Sequence, residues 1–365
     1  MKIVRVLILL GVISASIVAC QKDPEFDIEP GEELDLPDFN PTPYSFPARQ
    51  TGYPHIEMKP DNILTKEGVA LGRFLFYDPI LSSDSTQSCG SCHLQEKAFT
   101  DPRRFSVGVT GAVGTRNSMA LFNLMWHPSF FWDGRSPDIR EQVIEPIEDP
   151  TEMNSSMEEA LRKLNQSTFY KKHFYSAFGT TQITRELYSK AMEQFLFSMI
   201  SFDSEYDKWF RGEASDFSES AFRGLGIFFR EPSEGGADCF HCHGNIHFAD
   251  FTMSNNGLDE VHTDKGFGAV SGNSFDNGKF KVVSLRNIEL TAPYMHDGRF
   301  NTLEEVIDFY SEGVHANSPN IDPKMDEIPE GLFLTDQQKA DLIAFLKSLT
   351  DNTFTTDPKF SNPFN

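Results

Sequence analysis

Two short stretches hold the residues best suited to chemistry: SCGSCHLQEKAF at residues 88–99 and DCFHCHGNIHF at residues 238–248. Each has two cysteines three positions apart and a histidine directly after the second: Cys89, Cys92 and His93, then Cys239, Cys242 and His243. The chain has five cysteines, so this pattern takes four of them. Paired cysteines admit disulfides, a four-thiolate zinc site, a redox dithiol or covalent haem attachment. Zinc would want its histidines at ligand spacing elsewhere, not abutting each pair. A thioredoxin-like dithiol needs a βαβ context, and neither pair has one. C-x-x-C-H is the attachment signal for c-type haem, in which the thiols form thioethers and the adjacent histidine reaches the iron. Used twice, it predicts two covalent haems with His93 and His243 as proximal ligands. His241, inside the second motif, reads as a bystander.

The elements around these motifs read as helices. The 365 residues are 39% hydrophobic, enough for two modest cores, and the 34 phenylalanines would line the space around a large flat group. Residues 184–210 carry a helical stripe of Leu187, Ala191, Phe195, Met199 and Phe202. Thr302 with Glu305, and Thr335 with Gln338, have capping-box spacing at two further helix starts. KFKVVSL, residues 279–285, leaves room for a short strand pair. The sequence also echoes itself. After each haem motif come Arg-Asn (116–117, 286–287), apolar residues, and Asp-Gly-Arg (133–135, 297–299). That order, used twice, predicts a mainly α chain of two cytochrome c-like haem domains related by internal duplication, with little β structure. Residues 50–213 form the first domain and 214–365 the second.

The N-terminus has Lys2 and Arg5, an apolar run, and small residues before Cys20. This predicts a signal peptide over residues 1–19 and lipidation of the Cys20 thiol, on the periplasmic side of a bacterial envelope. Residues 20–49, acidic and then proline-bearing, read as a solvated tether, so the membrane is reached only through the lipid. The net charge of −22 argues against nucleic acid and suits a basic soluble redox partner.

From about residue 62 to 350 the chain resembles the bacterial dihaem cytochrome c peroxidases and their MauG-like relatives. The residues that carry the likeness are LGRFLFYDPILSSD, SCGSCH, TRNS, FFWDGRSPDIREQVIEPI, PTEMN, CFHCH and LRNIELTAPYMHDGRFNTLEEV. The resemblance implies that the His93 haem is peroxidatic, with Glu152 as its distal acid–base and Gln142 as the distal amide that orients peroxide. It places Trp132 between the haems, and Asn117, Thr291 and Pro293 at a calcium ion between the domains. Read without the family, Glu152 is as readily a helix-entry surface glutamate as a functional acid, Gln142 reads as an exposed helix residue, and Trp132 as core packing, which is compatible with a place between the haems.

Two departures bear on the activity. The loop FSVGVTGAVG has Val109 near the place where reductively activated peroxidases carry a capping histidine, and no histidine lies between His93 and His127. The first haem is therefore expected to be open without activation; the nearest alternative histidines, His127 and His55, lie outside that loop. Fourteen residues after His296 stands Tyr310, where the peroxidases have methionine and the MauG-like enzymes tyrosine. Tyr310 is the expected distal ligand of the second iron, with Met295 as competitor.

The reading implied is a dihaem peroxidase that reduces hydrogen peroxide to water with electrons from a small cytochrome c or copper protein. The alternatives are a MauG-like oxidase acting on a protein substrate through high-valent iron, and a non-enzymatic dihaem electron carrier. Its cofactors would be two c-type haems and one calcium ion.

Overall fold

A helix that opens on a side-chain cap, and another that returns against it, enclose each half of the protein. Thr65 caps Lys66–Tyr77 by accepting from the Gly68 amide, and Thr184 caps Arg185–Ser198 in the same way from Leu187. The two helices pack so closely that a Cβ on Gly72 would overlap the Ala191 carbonyl. In the second half, Glu219–Phe228 crosses Asp336–Lys347, and a Cβ on Gly224 would overlap the Asp341 carbonyl. One glycine-mediated crossing per half is the structural counterpart of the sequence echo.

This computed structural model describes residues 34–46, 54–55, 58–325, 328 and 331–364. The expected signal peptide, Cys20 and most of the acidic tether lie outside the described residues. The chain divides into Met1–Asp35 and Leu36–Asn365, and all that follows concerns the second unit. Among the described residues no helix is long and apolar enough to cross a membrane.

The architecture is mainly helical, as the sequence predicts. The one sheet among the described residues pairs Met253–Ser254 with Phe280–Lys281, antiparallel, in the segment expected to carry a strand. Both expected capping boxes form, at Thr302–Glu305 and Thr335–Gln338. The stripe read across residues 184–210 is corrected. Met199 leaves helical geometry, and Ser204 restarts the chain as Glu205–Phe210 through a capping box with Asp207.

Among the described residues two large apolar cores form, with two smaller clusters around Phe309 and Phe251. The first gathers Leu71, Phe76, Phe99, Phe174 and Phe195; the second gathers Phe228, Phe248, Leu342 and Phe345. Phe354 and Phe360, near the C-terminus, join the first core rather than the second. Arg73 and Tyr77 fix that return by donating to the Ser361 and Phe360 carbonyls at 2.6 and 2.7 Å. In the second half, Arg286 is buried and pairs twice with Asp207, at 2.8 and 2.9 Å. Such a pair is strongly destabilised if one partner is removed.

Candidate active site

Each C-x-x-C-H motif forms one tight turn. Ser88 opens the turn Cys89–Ser91, and the His93 amide donates to the Cys89 carbonyl at 2.9 Å. In the second motif Phe240–His243 is helical, and the His243 amide donates to the Cys239 carbonyl at 2.8 Å. A turn of this kind brings both thiols and the imidazole to one wall. Cys89, Cys92 and His93 line a cavity of ≈ 330 Å³; Cys239, Cys242 and His243 line another of ≈ 280 Å³.

Both histidines are held alike. His93 Nδ1 lies 2.6 Å from the Phe99 carbonyl and His243 Nδ1 lies 3.0 Å from the Phe248 carbonyl. A carbonyl only accepts, so each Nδ1 carries the proton and each Nε2 keeps its lone pair, as an iron ligand requires. Phe99 and Phe248 reach these positions through left-handed backbone, with φ of 62° and 51°. Burial holds both imidazoles below their usual pKa, hence neutral.

The four thiols are unpaired, and burial pushes Cys89 and Cys239 up to about 12. That is wrong for a reactive dithiol, and among the described residues no three Cys, His, Asp or Glu side chains converge as a zinc site would require. Such burial suits protonated thiols beside a roomy, largely apolar cavity, and the donor set therefore fits c-type haem.

Asn117, Trp132 and Lys281 border both cavities. Trp132 donates from Nε1 to the Asn117 carbonyl at 2.8 Å. It stands in a loop closed by Phe130 pairing with Ser136, with positive φ at Phe131 and Gly134. The second half repeats the loop: Tyr294 pairs with Phe300, with positive φ at Met295 and Gly298. Trp132 and His296 are thus equivalent positions, as are Phe131 and Met295.

Gln142 ends the short helix Ile139–Gln142, which Asp138 caps, and Glu152 follows in the next loop. Both border the His93 cavity, and neither side chain has a hydrogen-bond partner among the described residues. Glu152 is solvent-accessible within that cavity yet walled by protein. Desolvation first, then the Asp149 and Glu145 carboxylates, push it up to about 7 against the pull of Arg135. The Val109 amide donates to the Glu152 carbonyl at 2.9 Å, and a Cβ on Gly108 would overlap the Thr151 carbonyl. The loop expected to hold a capping histidine in activated peroxidases is thereby docked on the Glu152 segment. Val109 does not line the cavity.

In the other cavity, Tyr310 lies in a π-helical turn, Phe309–Gly313, a distortion frequent at functional sites. Asn256 Nδ2 donates to Tyr310 Oη at 2.9 Å and approaches Met295 Sδ at 3.8 Å, so both axial candidates converge on one amide. Burial pushes the Tyr310 phenol up to about 12, and the Asn256 bond opposes the shift. The sequence carried no signal for Asn256. Arg135 was visible as part of the repeated Asp-Gly-Arg, but without a role. It stacks over Phe131 and donates to Glu145 at 2.8 Å.

Asn117, Thr291 and Pro293 all border the His243 cavity. Asn117 Nδ2 donates to the Arg103 and Arg104 carbonyls at 3.1 and 3.2 Å, which turns Oδ1 the other way. Among the described residues, neither Oδ1 nor the Thr291 and Pro293 carbonyls accept a hydrogen bond.

A helical chain with two C-x-x-C-H cavities on either side of a tryptophan defines a dihaem c-type protein. A family model described as di-haem cytochrome c peroxidase matches residues 66–215. The methylamine utilization protein MauG of Methylorubrum extorquens is 32% identical over 82% of this chain and 82% of its own length. The cytochrome c551 peroxidase of Nitrosomonas europaea is 31% identical over 80% and 81%. A solved MauG-like protein associated with microbial copper homeostasis matches with a TM-score of 0.77 at 36% identity, covering 92% of this chain and all of that one. The chain belongs to the dihaem cytochrome c peroxidase and MauG-like family, whose members are oxidoreductases carrying two c-type haems.

Proposed function

We propose that this protein reduces hydrogen peroxide to water with electrons from a small periplasmic cytochrome c or copper protein. Cys89, Cys92 and His93 hold the first haem; Cys239, Cys242 and His243 hold the second. Bound there, haem supplies redox-active iron that accepts and passes on electrons. Glu152 does the proton work: its carboxylate takes a proton from one peroxide oxygen and returns it to the departing one. Two electrons and two protons convert one peroxide to two waters. The Gln142 amide orients peroxide or a water, and Trp132 fills the gap between the cavities. The observation that carries this reading is Glu152, a carboxyl poised near neutrality on the cavity that His93 lines. Peroxide turnover by haem-loaded Glu152→Gln tests it. Loss of most turnover with both haems retained is expected; turnover within a few-fold of wild type places the proton work elsewhere.

A second reading, MauG-like oxidation of a protein substrate, is favoured by the hydrogen bond between Tyr310 and Asn256. A Tyr310 phenolate holding the second iron would favour its oxidised state and would disfavour a high-potential electron-entry haem.

Three further assignments belong to the same proposal. Asn117 Oδ1 and the Thr291 and Pro293 carbonyls, hard oxygen donors, take a calcium ion with waters. Residues 50–213 and 214–365 are the peroxidatic and electron-transfer domains, with the segment carrying Phe354 and Phe360 returning from the second to pack on the first. Cleavage before Cys20 and lipidation of its thiol anchor the protein at the periplasmic side of the envelope.

A further inference from the structure

Four cationic side chains border the two cavities: Arg116, Arg135, Lys281 and Lys324. Three have carboxylate partners. Arg116 pairs with Asp133 at 2.6 Å and Asp264 at 2.8 Å, Arg135 with Glu145 at 2.8 Å, and Lys324 with Asp250 at 2.5 Å. Lys281 has none within ion-pair distance among the described residues. Its ammonium donates to the Ser129 carbonyl at 2.7 Å and lies 5.7 Å from the Phe130 ring centroid, so three N–H groups share one hydrogen-bond acceptor and one aromatic face.

Lys281 is also the most deeply placed of the four, 3% exposed. Its backbone is pinned on both sides, paired with Met253 across the sheet and donating to the Trp132 carbonyl at 2.8 Å. Asp133 attracts the ammonium from a distance, but its carboxylate is already shared by Arg116 and Arg135. Burial pulls the ammonium down to about 8, the expected response of a cation without a counter-ion. A buried, uncompensated charge is costly, so an anion belongs beside it.

We propose that Lys281 is the counter-ion of a haem propionate at the wall shared by the two cavities. This rests on the reading that both cavities hold haem. Haem bound in either cavity would carry its own carboxylates, and Lys281 is the bordering cation without a carboxylate partner among the described residues to receive one. The role is positional and electrostatic. Neutralising the propionate keeps it ionised, and the positive charge favours the ferrous over the ferric state of the haem it serves.

The test uses the haem-loaded full chain with Lys281→Gln, Lys281→Met and Lys281→Arg. Haem per chain is counted first, and each haem is then titrated spectroelectrochemically at several pH values. A wild-type count below two would refute the haem reading itself, independently of Lys281. With two haems retained, the Gln and Met variants should show one haem with a lowered midpoint potential that becomes pH-dependent near neutrality, as the unpaired propionate takes up a proton. The Arg variant should restore the wild-type potential. A lysine that merely caps Ser129 would give a lower melting temperature and unmoved potentials, and that result overturns the proposal. If the Met variant fails to fold, the Gln variant decides, because its amide still reaches toward the Ser129 carbonyl.

Discussion

Glu152 offers the sharpest test because one perturbation has consequences for rate, pH profile and stability. Its carboxyl is held at about 7, mainly by desolvation. If the carboxylate is the group that takes the peroxide proton, roughly a tenth is competent at pH 6 and nine-tenths at pH 8, so the rate constant with peroxide should rise about tenfold between them. Glu152→Gln should lower it by ~10²–10⁴-fold and flatten the profile. Stability should move the opposite way. The folded pKa lies above the unfolded value of 4.5, so the native state holds a proton that the unfolded state has released. The protein is therefore most stable below pH 4.5 with respect to this group and loses stability as pH rises to about 7. The full shift would correspond to ~3 kcal/mol, but Glu152 is solvent-accessible, and screening leaves about 1 kcal/mol. Glu152→Gln should recover that amount at pH 8 while losing activity. Stopped-flow mixing with peroxide reads the rate, and urea titration at pH 5 and pH 8 reads the stability. A flat wild-type rate profile, or a variant within a few-fold of wild type, would refute the reasoning.

Denatured protein should keep two haems per chain through acetone extraction, and Cys89→Ala with Cys92→Ala should keep one; recovery of two from that variant would discard the attachment sites. The oxidised protein should contain a high-spin haem and react with peroxide without prior reduction, since no histidine in the Val109 loop is available to cap it; an EPR spectrum with two low-spin irons would contradict this. Tyr310→Met should raise the second haem's potential by on the order of 0.1 V, within the roughly 0.8 V that axial ligands span, whereas Met295→Leu should leave it nearly unmoved; the reverse pattern makes Met295 the ligand. Gly108→Ala should destabilise the protein by about 1–3 kcal/mol in chemical denaturation, because its Cβ meets the Thr151 carbonyl and the loop must shift off the Glu152 segment.

The parts of the site that follow from local spacing were legible in the sequence. A C-x-x-C-H turn needs no distant partner to form, and the capping boxes at Thr302 and Thr335 are likewise local. The repeated Asp-Gly-Arg announced the duplication because it preserves a backbone shape: positive φ recurs at Phe131 and Gly134, and again at Met295 and Gly298. The repeated Arg-Asn is corrected: Asn287 corresponds to Asn123, each at φ 56° opening a short turn, and not to Asn117. The break at Met199 was not legible, since an apolar stripe continues through it. The return of Phe354 and Phe360 to the first core was hidden for a related reason: a hydrophobic residue does not specify which core it joins. Asn256 and Lys281 are long-range cases. Neither belongs to a motif, and each gains meaning only from what the fold places beside it.

The two halves use one scaffold for unequal ends, and the inequality is written in the second copy of each device. Both halves lock a histidine through Nδ1, leaving the same imidazole nitrogen toward each cavity. Both close the same Asp-Gly-Arg loop. In the first half that loop presents Trp132 at the wall between the cavities, and Glu152 and Gln142 border the first with no side-chain hydrogen bond among the described residues. In the second it presents His296, stacked on Phe280 with centroids 3.6 Å apart, and turns Met295 toward an amide that also holds Tyr310. On the proposed function, the cavity bordered by the Glu152 carboxyl and the Gln142 amide would receive a small polar oxidant. The cavity on which a thioether, a phenol and an amide converge would cap an iron. Duplication alone would make two equivalent haems. Divergence at these few side chains is what the proposed function asks for, one haem to react and the other to exchange electrons, and the repeated loop places Trp132 at the wall the two cavities share.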